Sequence, residues 1–259
     1  MESDGWWRNT AGARTIVSVL VAAVLVWEIA VRLFGIRSIL LPAPSVIILE
    51  MIKIAPWLGE QTVYTVLETL AGFALAVVFG VVLAVLIVSS KLVEKTIYTL
   101  LVTFNSVPKV ALAPLFIVWM GTGIEPKIAM ALFIGIFAIV VDTVHGLRSV
   151  EPDMIDLARS LGGNRFQMLS KIRLYCALPS LFAGMKVAIS LALVGAIIGE
   201  FVASSNGLGY VILTAEGDFN TPRIFAALVI LGIVGTIMFY AIDLTERACL
   251  PWHVSRRRE

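Results

Sequence analysis

The chain has 259 residues, 59% of them hydrophobic and only 15% charged, with a net charge of +2 and two cysteines. That balance, with a mean hydropathy of +0.95, excludes an ordinary soluble domain, and so small a net charge gives no footprint for nucleic acid. A spanning helix takes about 20 apolar residues, so the chain holds several spans with short loops and no large soluble domain.

Residues 1–13 are polar, and Trp6 and Trp7 suit a membrane interface. Arg14 to Phe34 is the first expected span, too long for a signal-peptide core and without a clear small-residue cleavage site. Near its far end Glu28 and Arg32 lie four apart on one helical face, spaced to pair. Leu41-Pro42-Ala43-Pro44-Ser45 then breaks the chain before Val46 to Ala55, which is too short to span and is expected to lie along the outer face.

Thr62 to Val88 is the second expected span, with Glu68 near its start, and Ser89 to Lys95 a short polar loop. Ile97 to Met120 is the third, interrupted by Pro108, Lys109 and Pro114. A lysine at that depth is costly, so Lys109 either lines an anion path or snorkels or pairs with an acid such as Glu68. After an outer loop, Gly121 to Pro126, Lys127 to Leu147 is the fourth span. Asp142 near its inner end either bonds a neighbouring helix or belongs to a gate. Leu181 to Ala203 is the fifth, ending at Glu200 and a tight turn from Ser204 to Gly209, and Phe225 to Leu244 is the sixth. A basic tail, 246–259, carries Arg247, Arg256, Arg257 and Arg258.

The longest polar stretch between spans runs from Glu151 to Pro179. Pro152 suits a first helical turn, and Met154, Leu157, Ala158 and Leu161 fall on one face of a short helix. Gly162 and Gly163 stop it. Asn164 can cap a second helix with Phe166, Leu169 and Ile172 on its apolar side, and Pro179 is expected to open the next span. Arg159, Arg165, Lys171 and Arg173 keep the element at the membrane surface.

Six spans put both termini on one side. Fourteen of the 20 basic residues fall on that side, which the positive-inside rule assigns to the cytoplasm, together with this polar stretch, Cys176 and Cys249.

The spacing of the polar stretch resembles the cytoplasmic "EAA" loop of ATP-binding-cassette importer permeases. Asp156 stands for its Glu and Leu157 for its first Ala; Ala158, Gly162, Ile172 and Leu174 match, and Tyr175 replaces its proline. Leu41 to Ser45, Val107 to Leu115 leading to Trp119-Met120-Gly121-Thr122-Gly123, and Gly199-Glu200 leading to Gly207-Leu208-Gly209-Tyr210 resemble the branch serving nitrate, taurine and alkanesulfonates. The resemblance implies an all-α integral membrane protein with six transmembrane helices, a type I importer (MetI-like) permease fold, and one permease domain over 14–245 with its coupling loop at 148–179.

It further implies that Asp156, Ala158, Arg159, Gly162, Gly163, Arg165, Ile172 and Leu174 couple to an ATPase, and that Pro108, Lys109 and Glu200 belong to the translocation path or a gate. The implied partners are a second copy of the chain, a dimer of ATP-binding subunits and a periplasmic or lipid-tethered binding protein. The location is the bacterial inner membrane and the solute a small anion. No cofactor is expected in this chain, ATP and magnesium being bound by the partner.

An intramembrane enzyme finds no support in the motifs. There is no His-Glu-x-x-His, no Gly-x-Ser-x-Gly and no nucleotide-binding Gly-x-x-x-x-Gly-Lys-Ser/Thr, and His145 and His253 are too few for a zinc set. A secondary transporter also carries buried charges and proline-broken spans, and stands as the alternative.

Overall fold

A computed structural model describes residues 4–251, and the cluster Arg256 to Arg258 and His253 lie outside them. The secondary structure of the described residues is helical throughout: α1 (Asp4–Leu33), α2 (Pro44–Lys53), α3 (Ala55–Ser89), α4 (Lys91–Val93), α5 (Thr99–Ser106), α6 (Ala113–Met120), α7 (Glu125–Arg148), α8 (Pro152–Ser160), α9 (Arg165–Met168), α10 (Leu174–Ala203), α11 (Leu208–Gly217) and α12 (Thr221–Cys249). Four helices among the described residues are long and apolar enough to cross a membrane: Ala55–Ser89, Glu125–Arg148, Arg165–Val202 and Thr221–Cys249.

The chain divides into two compact units, residues 1–59 with 211–229, and residues 60–210 with 230–259. In the first, the expected pair forms: Arg32 donates to Glu28 Oε1 at 2.6 Å. Ser45 joins them, its amide donating to Glu28 Oε2 at 3.0 Å and its hydroxyl to Oε1 at 2.8 Å. This ties α1 to the start of α2, where Pro44 occupies the first turn because that position needs no N–H. Arg223 bonds Glu50 at 3.1 Å and lies over the Trp57 ring.

In the second unit α7 and α10 pack through small residues. A Cβ at Gly195 would stand 2.7 Å from both Ala131 Cα and Met130 O, and one at Gly146 2.9 Å from Ala177 Cα. Backbones approach this closely because hydrocarbon offers no hydrophobic drive between helices, so association rests on van der Waals contact. Around the seam Phe73, Ala131, Ile139, Ala188, Ile189 and Ala192 form a buried cluster. Outward, Val78, Phe79 and Val82 of α3 are more than half exposed, an apolar surface suited to lipid.

Three expectations need correction. The third span is interrupted at Pro108, as expected, but its helical segment begins at Lys91, before Ile97. The helix restarts at Lys91, passes through a π turn at Glu94–Tyr98, ends at Ser106, and resumes after Pro108 as a 3-10 turn at Lys109–Leu112 followed by α6. Pro108 offers no N–H, so the ladder stops there. The polar loop thereby shrinks to Ser90, and Glu94 bonds Arg148 at 2.8 Å.

Pro179 does not open the fifth span but lies inside α10. The second short helix of the polar stretch is the start of that rod: α9 passes through a π turn at Leu169–Arg173 straight into α10. Tyr175 carries the N–H that the motif's proline would lack, and helical bonding runs through the position. Finally, α12 continues to Cys249, so Glu246 and Arg247, expected in the tail, are helical.

Candidate coupling loop and translocation path

The candidate coupling element is a helix, a two-glycine turn and a capped rod. Pro152 starts α8, and after Ser160 the chain turns through Gly162 at φ 80°, a left-handed conformation that costs a side-chain-bearing residue about 1–2 kcal/mol. Gly163 donates to Ala158 O at 2.9 Å. A Cβ at Gly162 would meet nothing within 4 Å, whereas one at Gly163 would stand 2.7 Å from that carbonyl. The need for glycine at Gly162 is therefore conformational, and at Gly163 steric.

Asn164 then caps the rod with a reciprocal box. Its side chain accepts from the Gln167 amide at 2.8 Å while Gln167 Oε1 accepts from the Asn164 amide at 3.0 Å. The rod Arg165–Val202 has 38 residues, about 57 Å at the α-helical rise, against a hydrocarbon core of about 30 Å. One end must project beyond the membrane, and the end joined to α8 is the charged one.

Two hollows flank α8. One, about 320 Å³, lies between its Leu157, Ala158 and Leu161 face and Ile172 of the rod. The other, about 350 Å³, lies between Ile155 and Arg159 of α8, Arg165 and Arg173 of the rod, and Ser89 at the end of α3. Asp156 is spent locally, accepting from Arg159 at 3.0 Å. Leu174 sits half-buried where α10 begins.

The path residues separate. Lys109 is half-buried, its ammonium 5.9 Å from the Phe137 ring centroid, and it borders a small hollow with Phe104 and Phe133. Pro108 is exposed at the helix break. The pairing of Lys109 with Glu68 is overturned, because Glu68 Oε1 accepts from Lys127 at 2.9 Å with both side chains buried. Asp142 packs its Cβ against Gly184 of α10.

Glu200 is fully buried, and its carboxylate holds the turn that follows it. Oε1 accepts from Thr65 Oγ1 at 2.6 Å and Oε2 from the Gly209 amide at 2.5 Å. Thr65 Oγ1 in turn accepts from the Leu208 amide at 2.8 Å, and Gln61 Oε1 from the Gly207 amide at 2.7 Å. Three successive amides at the start of α11 are thus satisfied by side chains of α3 and α10, as unmade bonds at a buried helix end would be costly.

Sequence reasoning missed Gln61, Thr65, Lys127, Asp243 and Glu246. The signal for the first two was present: Gln61, Thr65 and Glu68 fall at i, i+4 and i+7, a polar stripe on one face of α3. Lys186 of α10 is held by Asp243 and Glu246 of α12, with Arg247 on the other oxygen of Asp243. Asp243 and Glu246 lie three residues apart on one face of α12, but their partner Lys186 is 57 and 60 residues away in sequence, so nothing local named it.

The model of the family described as binding-protein-dependent transport system inner membrane component matches residues 76–249. A formylaminopyrimidine transport permease protein of Halalkalibacterium halodurans is 35% identical over 233 residues, covering 88% of this chain and 91% of that protein. A riboflavin transport system permease protein of Chloroflexus aurantiacus is 33% identical over 238 residues, 91% of this chain and 89% of that protein. A putative aliphatic sulfonates transport permease protein of Bacillus subtilis is 29% identical over 254 residues, 97% and 89%.

A chain of the MetNI methionine ABC transporter, crystallised facing inward, shares the fold with a TM-score of 0.62 at 22% identity, over 75% of this chain and 95% of that one. The secondary-transporter alternative falls with these matches. The chain belongs to the binding-protein-dependent transport system inner membrane component family and is a multi-pass permease subunit of an ABC importer.

Proposed function

We propose that two copies of this chain form the path of an ATP-driven importer, with a dimer of ATP-binding subunits engaging the coupling loop and a binding protein delivering solute at the opposite face. The observation that carries this reading is the mechanical continuity of the loop. Helix α8 is held to the rod by the Gly162 turn and the Asn164 box, and the rod runs through α9 and α10 into the membrane. Displacement of α8 by a closing nucleotide-binding dimer moves a membrane helix as a rigid body, without an intervening flexible joint.

Leu157, Ala158, Ile172 and Leu174 supply the apolar side of that contact, Asp156, Arg159 and Arg165 its charges, and Gly162 and Gly163 its shape. ATP and magnesium reside in the partner. Fourteen of the 20 basic residues support a cytoplasmic position for the loop and both termini, in a bacterial inner membrane.

Lys109 and Pro108 mark the path, at the one proline break of the third segment. The Lys109 ammonium offers a cation to an oxygen-bearing solute, and the Phe137 ring beside it favours a planar heterocycle. Relatives named for a pyrimidine and for riboflavin, both above 30% identity, support this class. A small sulfonate is the second reading, supported by the lysine's charge and the 29% relative.

The test is ATP hydrolysis by the reconstituted complex with its binding protein, with an aminopyrimidine, riboflavin, taurine or an alkanesulfonate added. Stimulation by a heterocycle that falls in Lys109→Met supports the path assignment; stimulation by sulfonates alone replaces the solute class, and absence of any ATPase partner sinks the importer reading.

A further inference from the structure

The hollow of about 350 Å³ on the far side of α8 is unlike the apolar groove beside it. Ile155 and Arg159 face it, and they lie about 200° around the helix from Leu157 and Leu161. Its rim carries three guanidiniums. Arg159 bonds Asp156, while Arg165 and Arg173 make no ion pair among the described residues. Val88, Phe166 and Leu169 add apolar lining, and Ser89 adds a hydroxyl that bonds back to Val85 O. Val88 ends the apolar run of α3, a helix long and apolar enough to cross a membrane, and Ser89, Ser90 and Lys91 follow it, so the hollow lies at the polar end of that run.

We propose that this cleft binds the headgroup phosphate of an anionic phospholipid. Arginine is suited to the task because its planar fork takes two phosphate oxygens at once. The apolar part of the lining favours a lipid over a free anion, since only the lipid brings acyl chains to lie against Val88 and the exposed flank of α3. The position favours lipid over an acidic partner surface, since one wall is the end of a spanning helix. Basic pockets of this kind at the inner leaflet recognise anionic headgroups. A seated lipid would brace α3 against the coupling loop, so that the loop moves relative to a fixed point.

The experiment is native mass spectrometry of the full-length chain released from nanodiscs of mixed phosphatidylglycerol and phosphatidylcholine, alongside co-purification with its ATP-binding subunit. The wild type is expected to retain phosphatidylglycerol selectively. Arg173→Gln, at a cleft residue outside the set assigned to the ATP-binding subunit, is expected to lose it by roughly fivefold, while Lys95→Gln retains it and both variants keep the ATP-binding subunit.

Unchanged retention in Arg173→Gln overturns the proposal. So does an Arg173→Gln chain that keeps phosphatidylglycerol but sheds the ATP-binding subunit, which would make the cleft a protein contact. Binding of inorganic phosphate by the delipidated chain, lost in Arg173→Gln and without selective lipid retention, would make it a free-anion pocket. Should Arg173→Gln fail to fold, Arg173→Lys carries the test: retention must fall as the planar fork is lost, and equal retention overturns the assignment.

Discussion

The Thr65 hydroxyl donates to Glu200 Oε1 at 2.6 Å and accepts from the Leu208 amide at 2.8 Å, so one side chain of α3 joins the end of α10 to the start of α11. Thr65→Val keeps the shape and removes both bonds, leaving an amide and a carboxylate oxygen buried. A loss of about 2–4 kcal/mol is expected by equilibrium unfolding in detergent, and Thr65→Ser should stay within about 1 kcal/mol of wild type. Equal behaviour of the two variants would remove the hydroxyl from the account.

The Glu68 and Lys127 pair makes a different prediction. Both side chains are buried at 2.9 Å, so Lys127→Met leaves a carboxylate uncompensated and should cost about 3–5 kcal/mol. Glu68→Gln in the same chain should restore a large part of that loss. A double-mutant cycle with no coupling between the two sites would show that the ion pair is incidental.

How much of this was legible beforehand depends on the kind of signal. Apolar length located α3, α7, α10 and α12, because hydrocarbon imposes a span of about 20 residues. The stripe Gln61, Thr65, Glu68 was readable as a polar face, yet its partners were not, for they lie 59 residues away at Lys127 and 146 at Gly207. Helix α11 was missed altogether, being ten residues whose capping comes from other helices rather than from its own sequence. Pro179 was read as a start because proline usually is one; in α10 it is tolerated deep in a packed helix.

Gly195 and Gly232 separate close packing from composition. A Cβ at Gly195 meets backbone of α7 at 2.7 Å, whereas one at Gly232 meets nothing within 4 Å. Gly195→Ala is expected to lose about 1–3 kcal/mol of stability through overpacking, and Gly232→Ala to be neutral or to gain up to about 1 kcal/mol. Thermal unfolding of the two variants side by side decides it.

Gly162 tests the turn apart from its surroundings. Since φ is 80° and the space around it is open, Gly162→Asn, which tolerates the left-handed region, should keep binding-protein-stimulated ATP turnover within about twofold. Gly162→Val should insert into the membrane normally and lose most of that stimulation. Gly162→Asp, which tolerates the same backbone but adds a charge to the docking face, should be uncoupled too, and full activity in Gly162→Asp would count against a partner at this turn.

The glycine seam between α7 and α10 limits where an alternating machine can flex. Helices whose backbones are already in contact have no room to slide or splay without opening voids, so these two must travel together. The third segment has no such constraint: Pro108 leaves the ladder open between Ser106 and Lys109, and bending there sacrifices little. The proposed stroke is thus divided between a stiff piston and a compliant elbow, with Lys109 just past the elbow.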